Sequence, residues 1–161
     1  MVDDERTAIV LAQQLGPARR ALLRAAEAAG GLPALPEAQI EVLRLLVASG
    51  PLSSAAIAAR LRLARSTVSN LVKPMSAEGL IEREIAEGDL RVALLAASER
   101  ARELLRRYDE ASATVVRAAL ASLEPVDRAA LAAAAGAIGA LATALAGALP
   151  APTEPAASSR G

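Results

Sequence analysis

The chain of 161 residues contains neither cysteine nor histidine. This double absence removes disulfides, thiolate nucleophiles and the usual ligand sets for zinc and haem. An active site would then need convergent carboxylates or an activated serine, and the serines have no evident base. We therefore expect no enzyme activity, no metal and no cofactor.

Phenylalanine and tryptophan are also absent, and Tyr108 is the single tyrosine. The apolar residues are mostly alanine and leucine, which lose least on entering a helix. A mainly α fold is the expectation. Acidic and basic residues number 18 each, so the chain as a whole has no bulk attraction for nucleic acid.

Charge is unevenly distributed along the chain. No acid occurs between Glu41 and Glu78, and this window holds the basic residues Arg44, Arg60, Arg62, Arg65 and Lys73. Such a local excess is typical of a nucleic-acid contact, and equally of an ordinary solvated helix face. Charge alone leaves both interpretations open.

Capping signals divide the first half of the chain into four helices. The first runs from about Glu5 to Ala29, where Gly16-Pro17 is expected to bend or interrupt it and Gly30-Gly31 to end it. A second begins near Pro36 and stops at Gly50-Pro51. A short third has Ser53 as its N-cap, and a fourth runs from about Arg65 toward Ala77.

Two strand-like runs follow, Leu80 to Ile85 and Leu90 to Leu95, and they are expected to form a hairpin. Ser98 then caps a long helix to about Ala121, and a last helix begins near Pro125. A helix-turn-helix followed by a hairpin suits duplex DNA, because the second helix fits the major groove and the hairpin reaches the minor groove. The predicted DNA contacts on the fourth helix are Arg65, Ser66, Thr67, Ser69, Asn70 and Lys73.

The hairpin carries the most specific motif, Asp89-Leu90-Arg91, which follows Gly79-Leu80-Ile81-Glu82-Arg83 and Ser66-Thr67-Val68-Ser69-Asn70-Leu71-Val72. With these motifs the chain resembles the MarR family of bacterial transcription regulators, and the resemblance extends from Leu35 to about Arg106. The resemblance implies that Arg91 enters the minor groove, while Asp89 holds the wing or that arginine in place. The alternative is a surface ion pair without further function.

The resemblance also implies a winged helix-turn-helix fold, mainly α with a small β-hairpin wing, flanked by N- and C-terminal dimerisation helices. The expected divisions are residues 1–34 and 97–149 for dimerisation, 35–96 for DNA binding, and 150–161 as a disordered tail. The family pattern implies a homodimer on double-stranded palindromic DNA, with the chain acting as a repressor. Three departures from the pattern lie near the recognition helix: Ala64 replaces a capping Ser, Arg62 replaces a turn Gly, and Pro74 is expected to kink or end the helix.

A small anionic or aromatic effector is a further partner that the resemblance implies. Arg19, Arg20, Arg24 and Tyr108 lie in the implied region, although snorkelling surface arginines and a packed tyrosine explain them as well. The acidic start at Asp3-Asp4-Glu5 is unlike a secretory signal and favours a cytoplasmic protein.

Two alternatives remain open. In the first alternative, the winged dimer is an architectural or interaction protein that has lost specific DNA readout, as Ala64 and Pro74 suggest. Otherwise, residues 129–149 are a tail anchor, because they are uncharged and long enough to span a bilayer. We expect no membrane partner, since most of that run is Ala or Gly, which gain little from lipid.

Overall fold

The computed structural model describes residues 3–85 and 93–148. Within them the helices are α1 (Asp4–Gly30), α2 (Glu37–Ser49), α3 (Ser54–Leu61), α4 (Arg65–Ala77), α5 (Glu99–Ala121) and α6 (Pro125–Ala148). The strands are β1 (Leu52–Ser53), β2 (Ile81–Ile85) and β3 (Ala93–Ala97). The predicted fold class, mainly helical with a small sheet, is confirmed.

Local capping chemistry sets several helix ends where the sequence predicted them. Gly31 ends α1 in the left-handed region at φ 56°, a conformation that glycine adopts without a steric penalty. The Ser53 hydroxyl accepts a hydrogen bond from the Ala56 amide at 3.1 Å and so caps α3. These ends follow from one or two residues each, which explains why the sequence alone locates them.

Helix α1 is continuous through Gly16 and Pro17, so these residues do not interrupt it, and the alternative of a bend there stays a prediction. A proline removes one amide donor, which leaves the carbonyl of Gln13 without its helical partner. Gln13 is exposed. Water can satisfy its carbonyl there, which lowers the cost of the proline, and the helix of 27 residues continues.

The sheet has the order β1-β3-β2 with antiparallel neighbours. Strand β3 pairs Ala97 with Ile81 on one side and Leu95 with Leu52 on the other. The sequence predicted β2 within one residue, but it missed β1. A strand of two residues has no periodicity to detect, and it forms here because β3 offers it an unpaired edge.

The described residues divide into two compact units. The first unit comprises 3–34 and 106–130, and the second comprises 35–85, 93–105 and 131–148. The second unit contains most of the buried core, including Ile40, Leu43, Leu46, Ile57, Val68, Met75 and Leu80, each at most 2% exposed. The predicted boundaries at residues 34, 96 and 149 stay predictions, and the predicted tail of 150–161 lies outside the described residues.

Ser98 links the N-terminus of α5 by hydrogen bonds to the segment that follows α4. Its hydroxyl accepts from the Ala101 amide at 3.1 Å and donates to the Gly79 carbonyl at 2.7 Å. Its own amide donates to the Leu80 carbonyl at 3.0 Å. Ser98 is 4% exposed; its bond with the Ala101 amide is buried, and its bond to the Gly79 carbonyl is partly buried. One residue thus holds a helix N-terminus and the start of β2 together.

We expect Ser98→Ala to lower the free energy of unfolding by about 1–2 kcal/mol, because the helix loses its buried cap and the Gly79 carbonyl loses its donor. Urea unfolding of the purified chain measures this difference. Ser122→Ala is the matched control, since the Ser122 hydroxyl donates to the Ala119 carbonyl at an exposed position. Equal stability of the two variants would show that the Ser98 bonds do not stabilise the fold.

Helix α6 has almost no burial. Its large apolar side chains Val126, Leu131, Ile138 and Leu145 are 43–73% exposed. The helix is long and apolar enough to cross a membrane by length and composition, with a mean hydropathy of 1.9. An isolated helix of this composition needs apolar cover in water, whether from protein or from lipid.

Candidate nucleic-acid interface

Helix α4 has one buried face and one exposed face. Val68, Val72 and Met75 are each at most 4% exposed, and their spacing of four and three residues is that of a single helix side. This side packs into the core of the second unit. The remaining surface is exposed at every position predicted to contact DNA on this helix: Arg65, Ser66, Thr67, Ser69, Asn70 and Lys73.

The two basic residues of the exposed face form no ion pair with the described residues. Neither Arg65 nor Lys73 forms an ion pair with any other residue in 3–85 or 93–148. Helices α3 and α4 of the second unit both lie in the segment between Glu41 and Glu78, which contains no acidic residue. An exposed cation without a protein partner retains its full attraction for a polyanion.

The turn between α3 and α4 lacks both a glycine at its left-handed position and a capping side chain at the start of α4. Arg62 ends α3 at φ 54° and ψ 41°, a left-handed conformation that favours glycine. The turn closes through the Leu63 amide, which donates to the Ala58 carbonyl at 2.9 Å. Ala64 is the N-cap residue of α4 and provides no side-chain acceptor. The first amides of α4 therefore lack a capping side chain.

Helix α4 continues through Pro74 to Ala77, so Pro74 does not end it, and the alternative of a kink there stays a prediction. The Glu78 amide donates to the Pro74 carbonyl at 2.9 Å, which completes the last turn. Losing the bond to the Asn70 carbonyl costs around 3 kcal/mol in a regular helix. Burial of Met75 to 0% exposure offsets a comparable amount, since a buried Met side chain contributes about 1.5–3 kcal/mol.

A cleft of about 130 Å³ lies between α4, the start of α3 and the sheet. Its polar lining consists of Ser54, Ser69, Lys73 and Arg83. Arg83 is exposed on β2 and has no ion pair among the described residues. Two cations and two hydroxyls beside the exposed face of α4 can bind a phosphate. Sequence reasoning missed Ser54 and Arg83 as site residues, although Arg83 belongs to the motif at 79–83.

The predicted wing residues Asp89 and Arg91 lie outside the described residues. The strands that lead toward them are in place, since β2 ends at Ile85 and β3 begins at Ala93. Glu82, Arg83 and Glu84 are exposed on β2. The roles assigned to Asp89 and Arg91 stay predictions.

The residues predicted to bind an effector separate into two kinds. Arg19, Arg20 and Arg24 are exposed on α1. Tyr108 is 1% exposed, and its hydroxyl donates to the Pro33 carbonyl and lies 3.5 Å from a Glu27 carboxylate oxygen. Tyr108 is thus a core residue of the first unit whose polar atom is already used, which matches the packed-tyrosine interpretation.

Acidic side chains do not converge anywhere in the described part of the chain. No group of three or more aspartates or glutamates there could hold a metal ion.

Comparison with known proteins gives a family match over a segment that lies mostly in the second unit. Residues 31–91 match the model of the MarR family. This segment contains the turn, α4, β2 and the motif at 89–91. A comparison with curated proteins found no match.

Solved structures extend the likeness to most of the chain. A candidate transcriptional regulator from Pseudomonas aeruginosa PA01 is 28% identical, with a TM-score of 0.72 over 88% of this chain and 97% of its own. Rv1404 from Mycobacterium tuberculosis is 19% identical, with a TM-score of 0.74 over 89% and 96%. A MepR variant from S. aureus bound to an oligodeoxyribonucleotide is 16% identical, with a TM-score of 0.61 over 86% and 97%.

Proposed function

Because residues 31–91 match the model of the MarR family, we propose that the chain belongs to this family of transcription regulators and is a sequence-specific DNA-binding regulator, not an enzyme. It acts in the cytoplasm as a homodimeric repressor on palindromic operators. Helix α4 reads bases in the major groove through Thr67, Ser69 and Asn70. Arg91 reaches the adjacent minor groove.

The observation that carries this proposal is the exposed polar face of α4 beside the cationic cleft. Short polar side chains can hydrogen-bond base edges, and Lys73 with Arg83 can hold the neighbouring phosphate. Phosphate contacts fix the position of the helix, and base contacts then select the sequence. The S. aureus neighbour was solved with an oligodeoxyribonucleotide, which supports a nucleic-acid partner for this fold.

The homodimer is supported by exposed apolar side chains on the helices of both chain ends. On α1 these are Ile9, Val10, Leu11 and Leu15, and on α6 they are Val126, Leu131, Ile138 and Leu145. A monomer would leave all of them in water. A two-fold dimer covers the same patch on both copies and spaces two α4 helices for two half-sites.

Release by a small anionic or aromatic effector is part of the same proposal. The exposed arginines Arg19, Arg20 and Arg24 on α1 are cationic groups that such a ligand can contact. The buried hydroxyl of Tyr108 is engaged, so this residue takes a packing role in the proposal.

The test is selection of bound fragments from a pool of genomic DNA, with the purified full chain as bait. We expect the bound fragments to share an inverted repeat with half-sites about one helical turn apart. Equal binding to all sequences, with strong salt dependence, would instead identify an architectural protein without specific readout. Recovery of the chain from washed membranes would favour the tail anchor that the composition of α6 permits.

We expect Arg83→Gln to weaken DNA binding by about tenfold on every sequence, because a phosphate contact carries no sequence information. The slope of log affinity against log salt should fall in magnitude by about one per protomer. Band-shift titrations at several salt concentrations measure both quantities.

Arg100→Gln is the control for this variant, since it makes the same charge change at an exposed position outside the cleft. It should leave the slope unchanged. An unaltered slope in Arg83→Gln would show that Arg83 does not contact DNA. The proposed regulator function would still be decided by the selection experiment.

A further inference from the structure

Three arginines converge on a second, larger cavity of the second unit. Its volume is about 370 Å³, and its charged lining is Glu41, Arg44, Arg60 and Arg62. Three positive groups and one negative group leave a formal surplus of two positive charges. Leu45 and Leu61 provide an apolar side, and Ala146 lies at the α6 side. The cavity lies between α2 and α3, and none of the α4 positions predicted to contact DNA lines it.

Arg62 has two features, a left-handed backbone and an unsatisfied donor, that do not stabilise the fold. Its backbone has φ 54°, where a residue with a side chain is disfavoured and glycine is preferred. Its Nη1 atom is buried and has no hydrogen-bond partner in the described part of the chain. Both features are unfavourable for stability, and both occur in one long cationic side chain. Strain and an unsatisfied donor at the same residue are typical of a functional constraint.

The neighbouring arginines differ from Arg62 because each has a protein partner. Arg60 donates to the Ser49 hydroxyl at 2.7 Å, and Arg44 also has an interaction within the protein. Arg62 differs from them in keeping a guanidinium nitrogen, Nη1, that no described residue satisfies. The cavity lining therefore includes one cationic side chain with a donor that a ligand could satisfy.

We propose that this cavity binds a small oxyanion, a carboxylate or a phosphate, through the guanidinium of Arg62. An oxyanion would accept a hydrogen bond from Nη1, and its charge would be neutralised by the surplus of the lining. The volume lies near the lower end for small-molecule sites, so the anion can carry a short carbon body against Leu45 and Leu61.

A phosphate of duplex DNA is a poorer occupant than a small anion. The DNA contacts proposed above lie on the exposed face of α4 and in the cleft with Arg83. The Nη1 atom of Arg62 is buried, and a small anion can enter the cavity more completely than a phosphate that is held in a polymer backbone. The site therefore does not depend on the DNA-binding role, and DNA is left out of its test.

The experiment measures the melting temperature of the full chain in sodium phosphate, sodium acetate or sodium chloride at equal ionic strength. Tens of millimolar phosphate or acetate should raise the melting temperature by about 2–4 °C above the chloride value. The phosphate and acetate arms distinguish the two oxyanion classes. An equal response to chloride would mean that ionic strength alone acts, and this would overturn the proposal.

Two variants locate the effect. Arg62→Gly suits the left-handed backbone, so without added anion it should melt at or above the wild-type temperature, and it should not respond to phosphate or acetate. Arg62→Gln keeps a polar side chain without the charge and should also lose the response. Arg100→Gln, which does not line the cavity, should respond as the wild type does. A full response in Arg62→Gly would place the anion elsewhere and refute this site.

Discussion

Replacing Thr67 and Asn70 together by alanine should lower the affinity for the selected operator by about a hundredfold or more. Both side chains are exposed on α4, and a well-placed contact to a base edge contributes about 1–3 kcal/mol of discrimination. In a dimer each loss occurs twice. Alanine is the best helix former, so α4 should stay intact.

Affinity for unrelated DNA should change little in this double variant, because no charge is removed. The salt slope should also stay at the wild-type value. Titrations against operator and scrambled duplexes at two salt concentrations separate these quantities. Thr114→Ala with Ser122→Ala serves as control, since it removes two exposed hydroxyls from α5 or its end. If operator affinity survived in the Thr67 and Asn70 variant, α4 would not be the reading element.

The second large effect is expected on α6, where Ile138→Glu should convert the proposed dimer to a monomer. Ile138 is 46% exposed in the single chain and shares a helix side with Leu131 and Leu145. Burying an unpaired carboxylate in an apolar interface costs about 3–5 kcal/mol. The dimer dissociation constant should rise more than a hundredfold. Sedimentation equilibrium over a range of protein concentrations measures it.

Thr143→Glu is the matched control because residue 143 lies on the opposite side of α6, where its hydroxyl donates to the Gly139 carbonyl at an exposed position. This variant should remain a dimer. A dimeric Ile138→Glu protein would mean that this side of α6 is not the interface. Dissociation by Thr143→Glu would mean that the interface covers the other side.

Much of the helical framework could be predicted because its ends depend on single residues. Ser53 and Ser98 provide hydroxyl caps, and Gly31 adopts the left-handed conformation that ends α1. Each signal is local, so it is visible in a sequence without knowledge of tertiary contacts. The exposed face of α4 followed in the same way from periodicity.

The two prolines show where local rules fail. The penalty of a proline inside a helix is fixed, but whether the helix ends depends on what lies around it. Solvent accommodates Pro17, and the burial of Met75 keeps the turn after Pro74. Neither compensation can be read from the dipeptide. The strand β1 was missed for a similar reason, since its pairing partner Leu95 is distant in the chain.

The site residues on the single helix α4 could be predicted from the sequence, but those that other helices and strands contribute could not. Ser69 and Lys73 share a helix face by spacing, whereas Ser54 and Arg83 join them only through folding. The cavity around Arg62 likewise needs α2 and α3 to pack before its charges meet. The sequence singled out Arg62 as a departure from the family pattern, and the structure adds a buried, unpaired donor to that departure.

The fastening at Ser98 bears on how a minimal DNA-binding fragment should be cut. A fragment that stops at residue 96 would discard the hydroxyl that caps α5, together with Ala101 and Leu105, which are 0% and 5% exposed. It would open the core beneath β2 and expose apolar surface at the new terminus. A fragment intended for expression on its own should therefore continue at least through Leu105.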